Sequence, residues 1–401
     1  MLISASYFWS DALNAFMFNH GPMTPTLMDV VMLTGLNIHA SNKPFHLVEK
    51  ASFKIETKSI GRWKGYIGKN MKTESLSVRE HTAFLNMWLE KFIFCGKAVG
   101  PTNNNLKLAE NLATGNHVPL GKHLMGSVYH LLHQVSSRLR KNQPITNLGG
   151  PWWFIQLWLH MYMHKTMVVE LSETELPSEN FSEGEETITG RCTSFGEAAI
   201  MIANDHKVLG ITDFFKCFYN DFPETSTICF AYQDEKVINE NPFKLQFDSW
   251  KTDEEATKIM KEIISPRILP ANFTFGKEIP SYEFYNLSVA ARQLGFSQVP
   301  PLPFFVGKFQ FRGALNSALS YDRLKNLEPE VDVKALADWQ VVPFITTPFI
   351  QWWSEWQEHI FCKTVNLYCI ALNENYQAAN NEVQNQTHSL CRTIMFSICI
   401  F

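Results

Sequence analysis

Four histidines, His117, His123, His130 and His133, form the densest imidazole cluster of the chain. On a helix, separations of seven and three residues let up to three of them face one way, a first requirement for a metal centre. No cysteine or carboxylate stands beside them in sequence, so the plainer reading is the polar face of a helix. His160 and His164 are spaced i, i+4 as in zinc proteases, but Met161 stands where that motif needs its glutamate base. The segment Gly115–His123 approaches a phosphate-cradling loop. It has five residues, not four, before Gly121-Lys122, and His123 replaces the hydroxyl residue that meets Mg²⁺. No nucleophile elbow, dinucleotide fingerprint or kinase signature set occurs, nor the metal-binding blocks of a phosphoprotein phosphatase. Nothing identifies a Schiff-base lysine for pyridoxal phosphate. The residues therefore predict a non-enzyme, with no catalytic residue, metal or cofactor to assign.

A different chemistry is offered by residues 50–79, where eight basic residues face two acidic ones, a net of +6. Lys54, Lys58, Arg62, Lys64, Lys69 and Lys72 interleave with Phe53, Trp63 and Tyr66, the mixture used by surfaces that track a single strand and stack its bases. The candidate nucleic-acid-binding residues are Lys54, Lys58, Arg62, Trp63, Lys64, Lys69 and Lys72. The alternative is a solvated connection whose aromatic rings anchor it to the body. It is favoured because the rest of the chain carries a net charge of −10 against the overall −4, which repels a polyanion elsewhere.

These residues must be positioned by a large apolar framework. Hydrophobic residues make up 45% of the chain and charged ones 18%, with 31 Phe and 11 Trp, a composition that excludes wholesale disorder. The eight cysteines show no C-x-x-C pair, so free thiols in a reducing compartment are expected. No secretory leader is read at the N-terminus. The apolar run 152–169 contains Gln156, His160, His164 and Lys165, each costly in hydrocarbon, and reads as a buried helix with no membrane role.

Helix signals dominate. Thr24 and Pro25 resemble a cap and first helical residue before Leu27, Val30 and Val31, with Gly35 as a left-handed stop. Residues 81–95 place Phe84, Trp88 and Phe92 on one face. Residues 120–140 align Leu124, Val128, Leu131, Val135 and Leu139 at three- and four-residue steps, and Pro151 opens the next helix. Later starts are expected at Thr252, through a capping box with Glu255, and at Thr347-Pro348, with a further short helix over 286–294. Short β-branched or alternating pieces at 227–232, 243–247 and 273–275 predict a small sheet. The expected fold is mainly α, a multi-helix globular domain in two lobes with a minor β element in the second half.

Four blocks carry a family resemblance. YFWSDALNAF at Tyr7–Phe16, read as a tryptophan-bearing helix, leads into MTPTLMDVV from Met23 and LTGL from Leu33. HTAFLNMWLEKFIF starts at His81, GGPWWFIQLW at Gly149 and ARQLGFSQ at Ala291. In this order they resemble the plant mobile domain, also called the aminotransferase-like plant mobile domain, across roughly residues 2–370. The resemblance implies a domain shared by plant transposable elements and by host proteins of the maintenance-of-meristems-like family. Those hosts are associated with nuclear function, transposon silencing, genome integrity and meristem maintenance. It also implies protein partners, among them a phosphoprotein phosphatase or a chromatin factor, and supplies no catalytic residues. The aminotransferase-like label is not an activity. A nuclear location rests on the resemblance alone, since no cluster of Lys and Arg reads as an import signal.

The leading expectation is a non-enzymatic nuclear interaction module of transposon origin. The alternatives are a nucleic-acid-binding or processing factor of a mobile element, and a degenerate copy without cellular role. Residues 170–187 carry seven glutamates and no basic residue and mark the boundary. The expected organisation is an N-terminal helical lobe over 1–169, an acidic linker over 170–190, a C-terminal lobe over 191–372 and a divergent tail over 373–401. Because the chain begins inside the first block, apolar surface is expected to lie uncovered near Phe8, Trp9 and Phe16.

Overall fold

The structure is a computed structural model. It describes residues 1–39, 51–71 except 59, 76–141 except 99, 143, 145, 148–167, 210–220, 254–272, 281–305 except 295, 326–331 except 330, and 345–384. The acidic stretch and linker, Lys50, Lys72, Thr252, the three expected sheet pieces and the end of the tail lie outside them.

The chain opens with α1 (Leu2–Ser6) and then a three-stranded antiparallel meander, β1 (Trp9–Ser10), β2 (Ala15–Phe18) and β3 (Gly21–Met23). Trp9 is in register with Phe16, and Phe16 with Met23. The first block, expected to be a tryptophan-bearing helix, is therefore built of turns and strand ends, with Trp9–Ser10 in β1 and Ala15–Phe16 in β2. All four residues of β2 are buried. A strand covered on both faces lacks the alternation that marks a half-exposed strand.

Next comes α2 (Leu27–Thr34). Its cap is Thr26, not Thr24: the Thr26 hydroxyl accepts from the Asp29 N–H, and the Asp29 carboxylate accepts from the Thr26 N–H at 2.6 Å. Gly35 closes the helix at φ 64°, the left-handed geometry that glycine adopts without penalty.

Helices α3 (Arg62–Asn70), α4 (Val78–Trp88) and α5 (Leu106–Ala113) follow, and α4 runs into a π-turn at Leu89–Ile93. Then come α6 (Leu120–Arg140), with the bounds expected from its periodicity, and α7 (Trp152–Met167). Beyond the acidic stretch lie α8 (Ile211–Asn220), α9 (Glu254–Ile264) and the antiparallel pair β4 (Arg267–Asn272) and β5 (Ser281–Tyr285). The expected helix over 286–294 is two short 3₁₀ turns, Leu287–Val289 and Ala291–Leu294. The chain continues through α10 (Thr347–Ile360), capped by Thr346, and α11 (Val365–Gln384). The fold is thus mainly helical, with the expected minor β element in the second half and a meander in the first.

Helix α6 is the axis of the core. It packs along β4 and against α2, and the approach to β4 depends on Gly126. A Cβ there would stand 2.1 Å from the Pro270 carbonyl oxygen, so only glycine lets the helix lie this close. The largest apolar cluster joins Phe16, Leu124 and Trp158 to Phe218, Tyr285 and Leu372, so elements from either side of the acidic stretch share one core. This cluster also corrects the expected uncovered surface: Phe8, Trp9 and Phe16 are buried. Phe8 lies 5.0 Å from Phe215 of α8, Phe18 stacks at 4.6 Å on Phe218, and Phe16 stacks at 5.5 Å on Trp158. No helix among the described residues is long and apolar enough to cross a membrane.

Candidate functional site

Two regions hold the chemistry-bearing residues. The first is the basic stretch. Lys54, Lys58, Arg62, Lys64 and Lys69 are exposed, and Trp63 is half-buried. Arg62, Trp63, Lys64 and Lys69 lie on α3, whereas Lys54 and Lys58 lie on the preceding loop. On α3, Arg62 and Lys69 are seven residues apart and share a side, while Lys64 points well away from them. Lys69 pairs with Glu56 at 3.0 Å. Tyr66 is fully buried and donates to the Ala83 carbonyl, and Trp63 meets it edge-on at 5.6 Å. Phe53 and Trp63 pack on a small cluster built from Ile55, Ile60, Tyr66 and Leu106. The rings thus hold the segment to the body, and the cations are spread around it.

The second region is a cleft of about 770 Å³ along the polar face of α6. His123, Ser127, His130, Gln134, Ser137 and Lys141 recur at three- and four-residue steps and line it. These histidines do not converge on one point. His123 is buried at the deep end, where burial first and Lys122 second push its pKa down to about 3, so it stays neutral. His130 meets the buried Glu283 carboxylate at 3.4 Å and Gln134 at 2.9 Å. His133 lies 3.1 Å from Asp11, which also holds Arg140 at 2.7 Å, and His117 is exposed on the turn before α6. Among the described residues, no group of three or more His, Cys, Asp or Glu is arranged to hold a metal ion. Gly121, from the near-miss phosphate loop, lies inside α6, where a Cβ would strike Ile38 and Val30.

The opposite wall comes from two of the sequence blocks. The π-turn ends near Cys95 and Gly96, and the Gly150 N–H donates to the Cys95 carbonyl at 2.8 Å. A Cβ on Gly149 would stand 2.1 Å from the Lys97 nitrogen, so the paired glycines permit backbone-to-backbone contact. The Trp153 indole N–H donates to the Ile93 carbonyl at 2.9 Å, giving a partner to a group at the π-turn end. Behind the wall, Glu90 accepts from the Thr102 N–H at 2.7 Å and contacts its hydroxyl at 2.5 Å. Burial outweighs these bonds and raises the Glu90 pKa to about 7. Glu90 thereby ties the Thr102–Asn105 loop, whose Asn104 and Asn105 line the cleft.

The fourth block is structural. Gln293 clamps Thr24 through both main-chain groups: its Oε1 accepts from the Thr24 N–H at 2.8 Å and its Nε2 donates to the Thr24 carbonyl at 2.9 Å. Arg292 donates to the His20 carbonyl at 2.9 Å and lies over the Phe349 ring. Gln298 donates to the Ser288 and Val299 carbonyls at 2.8 Å. All three side chains are buried. Thr24 is not a cap and donates its hydroxyl to the Asn14 carbonyl at 2.6 Å. Sequence reasoning found the polar stripe of α6 but missed the cleft, because its other wall comes from segments separated in sequence.

No curated protein and no solved structure matches the chain. The family model of the plant mobile domain matches residues 1–192, which include the first three blocks and leave the fourth outside. Over those N-terminal residues, 1–192, the chain is similar to the plant mobile domain.

Proposed function

We propose that the chain is a non-enzymatic nuclear interaction module of transposon origin, acting through protein partners in transposon silencing, genome integrity and meristem maintenance. The observation that carries this reading is how the blocks use their polar residues. Gln293, Gln298 and Arg292 bind main-chain carbonyls or amides in the interior, and the Gly149-Gly150 pair shapes a wall. Residues used this way build a scaffold, and recognition falls to the surface the scaffold presents. A phosphoprotein phosphatase or a chromatin factor is the expected class of partner.

The test is affinity purification of tagged full-length protein from meristem tissue, with mass spectrometry and imaging of the tag. The expected result is nuclear signal and a reproducible phosphatase or chromatin partner. Exclusion from the nucleus, or a partner list indistinguishable from the tag alone, would overturn the reading.

A further inference from the structure

We propose that the cleft along α6 binds an extended acidic peptide segment with apolar anchors, which gives the interaction module a partner chemistry and rests on that reading. Three observations carry the assignment.

The first is charge. Lys97, Arg138 and Lys141 line the cleft, and no carboxylate does so among its described lining residues. Behind the lining, Glu283 and Asp11 pair with His130 and His133, and Glu90, its pKa raised to about 7 by burial, is bound to the Thr102–Asn105 loop. Complementary charge at the rim selects and steers an anionic partner.

The second is the floor. Phe94, Leu108, Leu131 and Leu148 contribute apolar surface to the same cleft. A cavity of about 770 Å³ with apolar walls and a few convergent polar groups is the usual form of a binding site. Asn104, Gln134 and Gln143 add side-chain amides, which can both donate to and accept from peptide groups. An aliphatic floor with amides suits a peptide better than stacked bases.

The third is length. The lining stripe runs from His123 to Lys141, about 27 Å at the rise of an α-helix. An extended chain covers that distance with about eight residues.

The experiment uses the full chain and a fluorescent eight-residue peptide of alternating Glu and Leu, titrated by anisotropy at low salt. Control peptides replace Glu by Gln or Leu by Gly, and an eight-nucleotide single strand is titrated in parallel. The variant is Lys97→Gln with Lys141→Gln, both exposed positions, and its urea midpoint is checked against the unaltered chain. Saturable binding of the Glu-Leu peptide, weakened by both controls and about tenfold in the variant, supports the assignment. It is overturned by absent or non-saturable binding, by equal affinity of the variant, or by tighter oligonucleotide binding lost in that variant. The two readings fail separately. If the variant retains the partners captured from tissue, the cleft assignment fails and the module stands. If the unaltered chain captures none, the module fails while the peptide titration is judged on its own.

Discussion

Gln293→Met removes the clamp on Thr24 at nearly constant volume, so its effect isolates the two hydrogen bonds. In the folded protein Gln293 and Thr24 are both about 1% exposed, and the bonds measure 2.8 and 2.9 Å. Methionine leaves the Thr24 N–H and C=O buried without these partners. Each orphaned group costs about 1–3 kcal/mol, so the pair predicts a loss of about 2–6 kcal/mol. A volume-conserving exchange adds little from packing. Against a typical stability of about 5–15 kcal/mol, this is a large fraction. Gln293→Glu adds a directional check. A carboxylate still accepts from the Thr24 N–H but turns an oxygen toward the Thr24 carbonyl, so it destabilises at neutral pH and partly recovers when protonated. Urea unfolding of the full chain, followed by near-UV circular dichroism and tryptophan fluorescence, reads both variants. A Gln293→Met midpoint indistinguishable from the unaltered chain would refute the scaffold role of this block and, with it, the observation behind the proposed function.

Glu90 supplies a pH prediction. Its pKa rises from 4.5 to about 7 through burial, so its contribution is fully present below pH 4.5 and is lost as pH rises through about 7. At about 1.4 kcal/mol per tenfold change in proton affinity, the loss is about 3 kcal/mol. Glu90→Gln, whose amide oxygen can still accept from the Thr102 N–H, is expected to flatten that part of the stability profile, and an unchanged difference between the two chains from pH 4.5 to 8 contradicts the cause. Gly126→Ala drives a Cβ to 2.1 Å from the Pro270 oxygen. It is expected to cost at least about 3 kcal/mol or to yield insoluble protein, and a soluble variant with an unchanged thermal midpoint counts against the α6–β4 packing. For the basic stretch, whose rings are committed to packing, the expected gel-shift result is no retardation of single- or double-stranded DNA at low salt. A salt-sensitive shift abolished by neutralising Lys58, Arg62, Lys64 and Lys69 would instead favour the nucleic-acid reading.

The long α6 was legible because a helix buried on one side repeats its apolar residues every three or four positions, and nothing in its surroundings competes with that signal. The start of α2 was legible only approximately. Thr24, Pro25 and Thr26 all carry cap chemistry, and the choice fell to Thr26 through Asp29, while Thr24 was drawn into bonds with Asn14 and Gln293. The first part of the meander, within Tyr7–Phe16, has the look of a helix in the sequence because β2 is buried on both faces. Its aromatic residues then show no strand period.

The sequence by itself determined the mainly helical class, the resemblance of the first three blocks to the plant mobile domain and the polar stripe of α6, since each depends on neighbours within a few turns. The tertiary structure alone decided that Gln293 grips Thr24 across 269 positions, that α8 covers Phe8 and Phe18, and that the Gly149-Gly150 wall stands opposite the stripe to make a cleft. Those outcomes depend on which distant surfaces meet, and local propensity and periodicity contain no term for that.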